Sequence, residues 1–244
     1  MEHTEWFEHW FGSPYYKILY QNRDDNEAQA FVSNLLRYLQ PPEGCSMLDI
    51  GCGEGRFAIQ LAGNGYDVTG IDLSAISIER AKEFENDHLH FFLHDMRFPF
   101  YINYFDYTFN FFTSFGYFAH DRDHMMAAKA FAASVKKGGT LVIDYLNRDY
   151  VLAGMHPTGT VQREKYTFNI KKRFERNHII KDINFLDPEG KEHNCMESVA
   201  AFSLQDFEVM FQKAGLTLTA TFGNYKLDAY HSANSPRMIM VFKK

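Results

Sequence analysis

The residues best suited to binding chemistry lie in two short stretches of the chain. Residues 47–55 read Met-Leu-Asp-Ile-Gly-Cys-Gly-Glu-Gly, so an acid is followed by three glycines at alternate positions. Glycine adopts φ > 0 readily and lets a ligand approach the backbone, and the helix that follows offers unpaired N–H groups. The second stretch, residues 66–71, leads into Asp72, whose carboxylate can accept hydrogen bonds from both hydroxyls of a ribose. Together they predict a site for an adenine nucleoside cofactor.

The glycine spacing separates the possible cofactors. Gly51, Gly53 and Gly55 do not follow the Gly-x-Gly-x-x-Gly spacing that serves the pyrophosphate of a dinucleotide, which argues against a nicotinamide-dependent oxidoreductase. Residues 48–55, together with Gly-Ile-Asp-Leu-Ser at 70–74, resemble motif I and the acidic loop of class I S-adenosylmethionine-dependent methyltransferases. The resemblance rests on specific motifs over roughly residues 45–145, and over the rest of the chain only on the order of the predicted helices and strands.

This resemblance implies S-adenosylmethionine as the cofactor and S-adenosylhomocysteine as the product. Asp72 would bind the ribose, and Asp95 would bind the adenine amino group because it follows the predicted third strand, residues 89–93. Met96 would pack on the adenine ring or donate its backbone N–H to it. The expected cofactor-binding residues are Asp49, Gly51, Cys52, Gly53, Gly55, Asp72, Leu73, Asp95, Met96 and Tyr16.

The methyl acceptor is expected after the fourth strand, residues 105–112, because open α/β sheets bind ligands at the carboxyl ends of their strands. Thr113 and Ser114 could contact the methionine part of the cofactor there. A general base is needed only if the acceptor arrives protonated, and the residues do not single one out. The catalytic candidates are His120, Tyr117 and His231, and the substrate candidates are Phe115 and Tyr117, which could contact a cationic amine, and Arg237, which could bind a carboxylate.

No metal is expected in the site. Catechol-type methyltransferases bind Mg²⁺ through adjacent Asp and Asn after the fifth strand and an Asp after the fourth. Here Asp144 and Asn147 are not adjacent, and no acid follows the fourth strand until Asp121. The same region lacks Asn-Pro-Pro-Tyr and Pro-Cys, which lowers the expectation of a nucleobase or a glutamine amide as the acceptor.

The elements that must position these residues alternate between strand and helix. The pattern predicts an α/β fold, with a Rossmann-like, mostly parallel sheet of seven strands and helices on both faces. We expect an N-terminal helical cap over residues 1–42, a cofactor-binding core over 43–158 and 203–244, and an antiparallel β insertion over 159–202 that covers the active site. Three strands are predicted in the insertion. The last strand, residues 238–242, is antiparallel in the family.

Composition places the chain among ordinary globular proteins. It has 244 residues, 45% of them hydrophobic, and a net charge of −6, which argues mildly against a nucleic-acid partner. Residues 161–182 are locally basic, with seven Lys or Arg against three Asp or Glu, which fits either a solvated sheet face or an anionic acceptor. Three cysteines without Cys-x-x-Cys spacing fit a reducing cytoplasm, and no apolar run is long enough to span a membrane.

The prediction from the sequence is therefore a cytoplasmic methyltransferase that acts on a nitrogen or oxygen atom of a small molecule, as a monomer or a homodimer. Two alternatives stay open. One is a methyltransferase of a macromolecule, either tRNA or protein. The other is a protein that binds S-adenosylmethionine without catalysis, because an intact cofactor site does not prove that an acceptor is methylated.

Overall fold

The computed structural model describes residues 6–21 and 25–244, and two β-sheets account for its strands. The strands are β1 (Ser46–Ile50), β2 (Asp67–Asp72), β3 (Leu89–Leu93), β4 (Phe105–Asn110), β5 (Val135–Leu146), β6 (Thr158–Arg163), β7 (Tyr166–Glu175), β8 (His178–Leu186), β9 (Glu192–Ala200), β10 (Thr217–Phe222) and β11 (Arg237–Lys243). The main sheet has seven strands in the order β10-β11-β5-β4-β1-β2-β3. Strands β1 to β5 are parallel, and β11 runs antiparallel to both its neighbours. The predicted fold class is confirmed.

Helices connect the strands and cover both faces of the main sheet. Ser74 and Ser203 cap two of them as the sequence predicts, and Ser203 forms a capping box with Asp206. Aspartate is a common capping residue, but Asp121 and Asp123 lie in the first turn of the helix that begins at Asp121, and His120 holds the capping position without a side-chain capping hydrogen bond. The helices are α1 (Trp6–Phe11), α2 (Pro14–Leu19), α3 (Asp25–Leu39), α4 (Arg56–Gly63), α5 (Ala75–Ala81), α6 (Asp121–Ser134), α7 (Arg148–Ala153) and α8 (Leu204–Lys213).

The insertion contains four antiparallel strands, in the order β6-β7-β8-β9, where three were predicted. The difference arises at Glu164 and Lys165, which form a tight turn between β6 and β7. Glu164 has φ 49°, a left-handed conformation that residues other than glycine adopt rarely. Because the turn contains neither Gly nor Pro, the sequence carries no signal for it.

Strand β5 also begins earlier than the sequence suggests. The paired glycines of Lys136-Lys137-Gly138-Gly139 are typical of a turn before a strand, and yet these residues lie within β5. Phe105 pairs with Val135 and Tyr107 pairs with Thr140, so β5 gains residues between these pairs and bulges. The far end of the strand is regular, which places Asp144 at the carboxyl edge of the sheet beside the end of β4.

Three hydrophobic clusters hold the layers together. One, around Phe131 and Phe207, lies on one face of the main sheet, and a second, around Phe31 and Phe57, includes residues of α3 and α4. The third joins the N-terminal helices to the insertion, where Trp10 and Leu19 of α1 and α2 pack with the buried face of β7 and β8. This third cluster therefore ties α1 and α2 to the insertion.

A buried histidine predicts how stability depends on pH. His124 of α6 is only 2% exposed among aromatic rings, and burial lowers its pKa to about 4, with the charge of His178 acting in the same direction and Asp121 and Asp123 opposing it. Its unfolded pKa is near the ordinary 6.5, so its contribution is complete above that value and is lost as the pH falls towards 4. We expect the wild type to lose on the order of 2 kcal/mol of unfolding free energy between pH 7 and pH 5 through this residue.

Urea unfolding of His124→Leu at both pH values measures this effect, since the variant has no group to titrate. Between pH 7 and pH 5 the free energy of unfolding should fall more for the wild type than for the variant. The same substitution at His120, which is exposed at the start of α6, is the control. Equal pH slopes for wild type and His124→Leu would contradict the prediction.

Candidate functional site

A cavity of about 390 Å³ lies at the carboxyl ends of the parallel strands, within the size range of pockets that bind small molecules. Its floor is the glycine turn after β1, and its walls come from the ends of β2, β3 and β4 and from the N-terminal helices. The residues that line it are Phe7, Phe11, Tyr16, Lys17, Tyr20, Gln21, Gly51, Cys52, Gly53, Glu54, Arg56, Phe57, Ile71, Asp72, Leu73, Ser74, Ser77, His94, Asp95, Met96, Phe111, Phe112, Ser114, Tyr117 and Phe118.

The glycine turn requires glycine for two different reasons. Gly51 has φ 73°, and a Cβ on it would lie 2.7 Å from the Cβ of Ser114, so a side chain would collide with the loop after β4. Gly53 has φ 56°, and a Cβ on it would meet nothing within 4 Å. Its backbone therefore faces open space in the cavity, where a ligand can approach.

Asp72 connects this turn to the end of β2. Its Oδ2 accepts the Gly53 N–H at 2.8 Å, and its Oδ1 accepts the Ser74 N–H at 2.8 Å. Burial raises the pKa of the carboxyl, and these backbone donors oppose the rise. An ionised carboxylate has about four lone-pair sites, so the Asp72 carboxylate keeps the capacity to accept from a ribose hydroxyl beside these backbone donors.

Two other predicted cofactor residues lie behind the cavity wall. Asp49 is fully buried in β1, and its carboxyl oxygens have no hydrogen-bond partner among the residues that the structure describes. Burial, reinforced by the charge of Asp72, raises the Asp49 pKa to about 8, so this carboxyl is mostly protonated at neutral pH. Gly55 packs against Phe91, since a Cβ on Gly55 would lie 2.6 Å from that ring. Both residues support the turn from beneath.

Asp95 and Met96 line the opposite end of the cavity, and Asp95 has a partner that the sequence did not predict. Arg97 donates from Nε to Asp95 Oδ2 at 2.9 Å, and its backbone N–H donates to Oδ1 at 2.9 Å. The Arg97 guanidinium also lies 5.1 Å from the centre of the Phe118 ring. The spacing of two residues could have suggested this pair.

The N-terminal helices form the cover of the cavity. Tyr16 lines the cavity, as predicted for a cofactor contact, and its ring lies 5.0 Å from Phe11 and 4.8 Å from Tyr20. Tyr15, which the sequence also suggested as a contact, instead packs on the insertion, 4.8 Å from Phe185. Glu54 of the glycine turn forms ion pairs with Lys17 of α2 and Arg80 of α5, so the turn is joined directly to the cover.

One carboxylate fixes the cover to the insertion. Glu197 of β9 accepts hydrogen bonds from Trp10 Nε1 at 2.8 Å and from the Tyr20 hydroxyl at 2.7 Å, and it forms an ion pair with Lys181 at 2.6 Å. We call these four residues the Glu197 cluster. Their positions lie far apart in the sequence, so no local pattern could have revealed the cluster. Through Tyr20 it extends to the cavity wall.

Among the residues predicted for the acceptor and for catalysis, Tyr117 lines the cavity. Phe115 has no exposed surface and packs in the core near Phe131 and Phe207. His120 is exposed at the start of α6, and His231 is exposed beside a separate depression near Asn147 and Ser203. The structure therefore does not bring these three residues to the cavity.

Arg237 also lies outside the cavity lining, and its guanidinium already has a carboxylate partner. Its Nε donates to Oδ1 of the fully buried Asp144 at 2.7 Å. The prediction that Arg237 binds a carboxylate of the acceptor rests on residue type alone, and no local pattern reveals a partner 93 positions away.

Two general features concern metals and membranes. Within residues 6–21 and 25–244, no group of three or more His, Cys, Asp or Glu side chains is arranged to hold a metal ion. Among the helices described, none combines the length and the hydropathy needed to cross a lipid bilayer. The expected absence of a metal remains a prediction.

Comparisons with known proteins agree with this geometry. A family model described as a methyltransferase domain matches residues 20–221. YqeM of Bacillus subtilis, provisionally described as a methyltransferase, is 26% identical over 216 residues, which cover 83% of this chain and 85% of YqeM. A S-adenosylmethionine-dependent methyltransferase of Clostridium acetobutylicum superposes with a TM-score of 0.78 at 18% identity, covering 94% of this chain and 96% of that one. CalS10 of Micromonospora echinaspora, an amino pentose methyltransferase solved with S-adenosylmethionine bound, gives 0.69 at 20% identity, with 94% and 96% covered.

The cavity fits S-adenosylmethionine, and Asp72 offers a test of how the protein holds it. We expect Asp72→Ala to weaken S-adenosylhomocysteine binding by about 1–3 kcal/mol, because the variant removes a charged acceptor and releases the Gly53 N–H. Calorimetric titration measures the change. Asp67→Ala is the matched control, since Asp67 begins the same strand at the opposite edge of the sheet. Unchanged affinity in folded Asp72→Ala would refute the assignment.

Proposed function

This chain belongs to the methyltransferase domain family and uses S-adenosylmethionine as its cofactor, and we propose that it methylates a nitrogen or oxygen atom of a small molecule. The observation that carries the proposal is the cover over the cavity. Phe7, Phe11, Tyr16 and Tyr20 line the cavity from the N-terminal helices, and the Glu197 cluster joins these helices to the insertion. This cover narrows the approach to the cavity, which supports a small acceptor over a macromolecule.

In the proposed reaction, the protein mainly aligns its ligands. When bound, S-adenosylmethionine supplies a methyl group that is already activated on a sulfonium. Asp72 and the glycine turn would hold the nucleoside, and Asp95 would hold the adenine. The loop after β4 would receive the methionine half of the cofactor, and the N-terminal helices would position the acceptor and exclude water. Alignment of this kind can supply much of the rate enhancement of a displacement reaction.

We favour a nitrogen acceptor over an oxygen acceptor. A neutral amine attacks without a general base, whereas a hydroxyl group must lose a proton. The two histidines predicted as bases, His120 and His231, do not line the cavity. The rings of Phe11 and Tyr117, whose centres are 5.0 Å apart, suit an amine that becomes positively charged on methylation. CalS10, an amino pentose methyltransferase, has the same fold and is consistent with this preference.

Transfer from methyl-labelled S-adenosylmethionine tests the proposal. The purified protein is incubated with an ultrafiltrate of a cell extract, and separately with the retained tRNA and protein. We expect label and S-adenosylhomocysteine to form with the ultrafiltrate, and a panel of primary and secondary amines then narrows the acceptor. Label in the retained fraction alone would favour the macromolecular alternative. Binding of the cofactor without transfer to either fraction would favour a protein that does not catalyse the reaction.

Tyr117 provides a prediction for the acceptor side. Tyr117→Phe keeps the ring that packs on Phe11 and removes the hydroxyl from the cavity wall. If the hydroxyl orients the acceptor amine, turnover should fall about three- to tenfold, as for a hydrogen bond of about 1 kcal/mol, with the affinity for S-adenosylhomocysteine unchanged. Tyr15→Phe is the control, because Tyr15 packs on the insertion. Equal turnover in Tyr117→Phe and wild type would exclude this role.

A further inference from the structure

A buried polar network lies directly behind the loop that follows β4. Its centre is the carboxylate of Asp144 at the end of β5, which is 0% exposed. Oδ1 accepts a hydrogen bond from Arg237 Nε at 2.7 Å, and Oδ2 accepts one from the Tyr225 hydroxyl at 2.9 Å and one from the Phe112 backbone N–H at 3.0 Å. A buried carboxylate needs such donors, because leaving them out would expose its charge to a medium of low dielectric constant.

The network holds an unfavourable backbone conformation. Phe112 and Thr113 have φ 59° and 62°, so two consecutive residues with a Cβ lie in the left-handed region. Such residues persist only where the surroundings fix them. Here the Asp144 side chain accepts the Phe112 N–H, the Asp144 carbonyl accepts the Thr113 N–H at 2.8 Å, and Arg237 Nη2 donates to Thr113 Oγ1 at 3.0 Å.

The held loop forms a wall of the cavity. Phe112 lines the cavity, and its ring lies 5.4 Å from the guanidinium carbons of both Arg56 and Arg237. Ser114 also lines the cavity, and its hydroxyl donates to the Phe111 carbonyl at 2.8 Å. A Cβ on Gly51 would collide with the Ser114 side chain, so this loop and the glycine turn are in close contact at Gly51.

One donor of the network, Tyr225, is itself fixed from outside the sheet. The Tyr225 ring stacks on Phe31 of α3 at 4.3 Å, and Asn34 donates to the Tyr225 carbonyl at 2.9 Å. Burial and the charge of Asp144 raise the Tyr225 pKa, so its hydroxyl remains a donor. Because helix, loop and two strands all converge on Asp144, its position is set by the whole fold.

We propose that Asp144, Arg237 and Tyr225 are positioning residues, which hold Phe112–Ser114 in the shape that receives the methionine half of the cofactor beside the acceptor. The proposal rests on the proposed function for the identity of the ligands. In this proposal Arg237 supports the loop and does not bind a carboxylate of the acceptor. Asp95 and Asp72 serve the nucleoside half at the other walls of the cavity, so the network should affect one half of the ligand selectively.

This selectivity gives a test that does not require the acceptor. S-adenosylhomocysteine contains the amino-acid half, and adenosine lacks it. In Asp144→Asn an amide N–H₂ replaces one acceptor oxygen and leaves a donor of the network unpaired. We expect the dissociation constant for S-adenosylhomocysteine to rise about tenfold or more, while that for adenosine changes less than about threefold. Both constants are measured by calorimetry at a temperature where circular dichroism shows that the variant is folded.

The matched control is Asp106→Asn, at the opposite end of β4. Asp106 accepts the Ser46 N–H at 2.9 Å and pairs with Lys136. The same substitution there changes a paired carboxylate that lies away from the cavity. It should leave both constants unchanged. If Asp144→Asn does not fold, Tyr225→Phe removes a single donor and should weaken S-adenosylhomocysteine binding about threefold with no effect on adenosine.

The outcomes separate this inference from the proposed function. Equal weakening for both ligands in the variant, or no weakening for either, would overturn the positioning role and leave the methyltransferase assignment intact. If the wild-type protein bound neither S-adenosylhomocysteine nor adenosine, the cofactor site itself would be wrong. Once an acceptor is known, Asp144→Asn should lower turnover more than it raises KM for that acceptor, and Arg237→Lys, which keeps the positive charge beside Asp144, should lower turnover less than Arg237→Ala.

Discussion

The structure depends on how it accommodates carboxylates that the parallel strands bring to one buried edge. Asp72 is stabilised by two backbone N–H groups, which fixes the glycine turn. Asp144 is stabilised by a guanidinium, a phenol and a backbone N–H, which fixes the loop after β4. Asp49 has no such donors among the described residues, and its pKa of about 8 leaves it mostly neutral at pH 7. Each of the three aspartates therefore avoids the free-energy cost of a buried, unpaired charge in a different way. The hydrogen bonds of Asp72 and Asp144 also shape the cavity.

A fourth carboxylate, that of Glu197, organises the cover. Helices α1 and α2 have six residues each, which is too short for a stable helix on its own. They are held by aromatic packing against the insertion and by the hydrogen bonds of Glu197. The partly buried pair with Lys181 balances the charge of Glu197, so Trp10 and Tyr20 can direct their polar atoms to it. The N-terminal helices are thus held in place by the insertion.

The cofactor half of the site was largely predictable because its geometry is local. The positive φ angles at Gly51 and Gly53, the strand end at Asp72 and the cap at Ser74 all follow from residues within a short stretch of chain. The fold class could be predicted for the same reason, since alternating strands and helices have periodic patterns. The predicted strand boundaries were wrong where no residue type marked a turn. One example is Glu164, which adopts a left-handed conformation without a glycine.

The acceptor half could not be predicted because tertiary contacts define it. Residue type suggested that Phe115 and Arg237 would meet a ligand, but Phe115 packs in the core and Arg237 pairs with Asp144. An aromatic or a guanidinium has many possible partners, and only the folded chain determines which one it meets. The residues that line this half come from α1, α2 and the loop after β4, whose conformations depend on Glu197 and Asp144. We therefore expect acceptor specificity to depend on how the N-terminal helices and this loop are held, since neither a fold nor a short motif determines which substrate an enzyme takes.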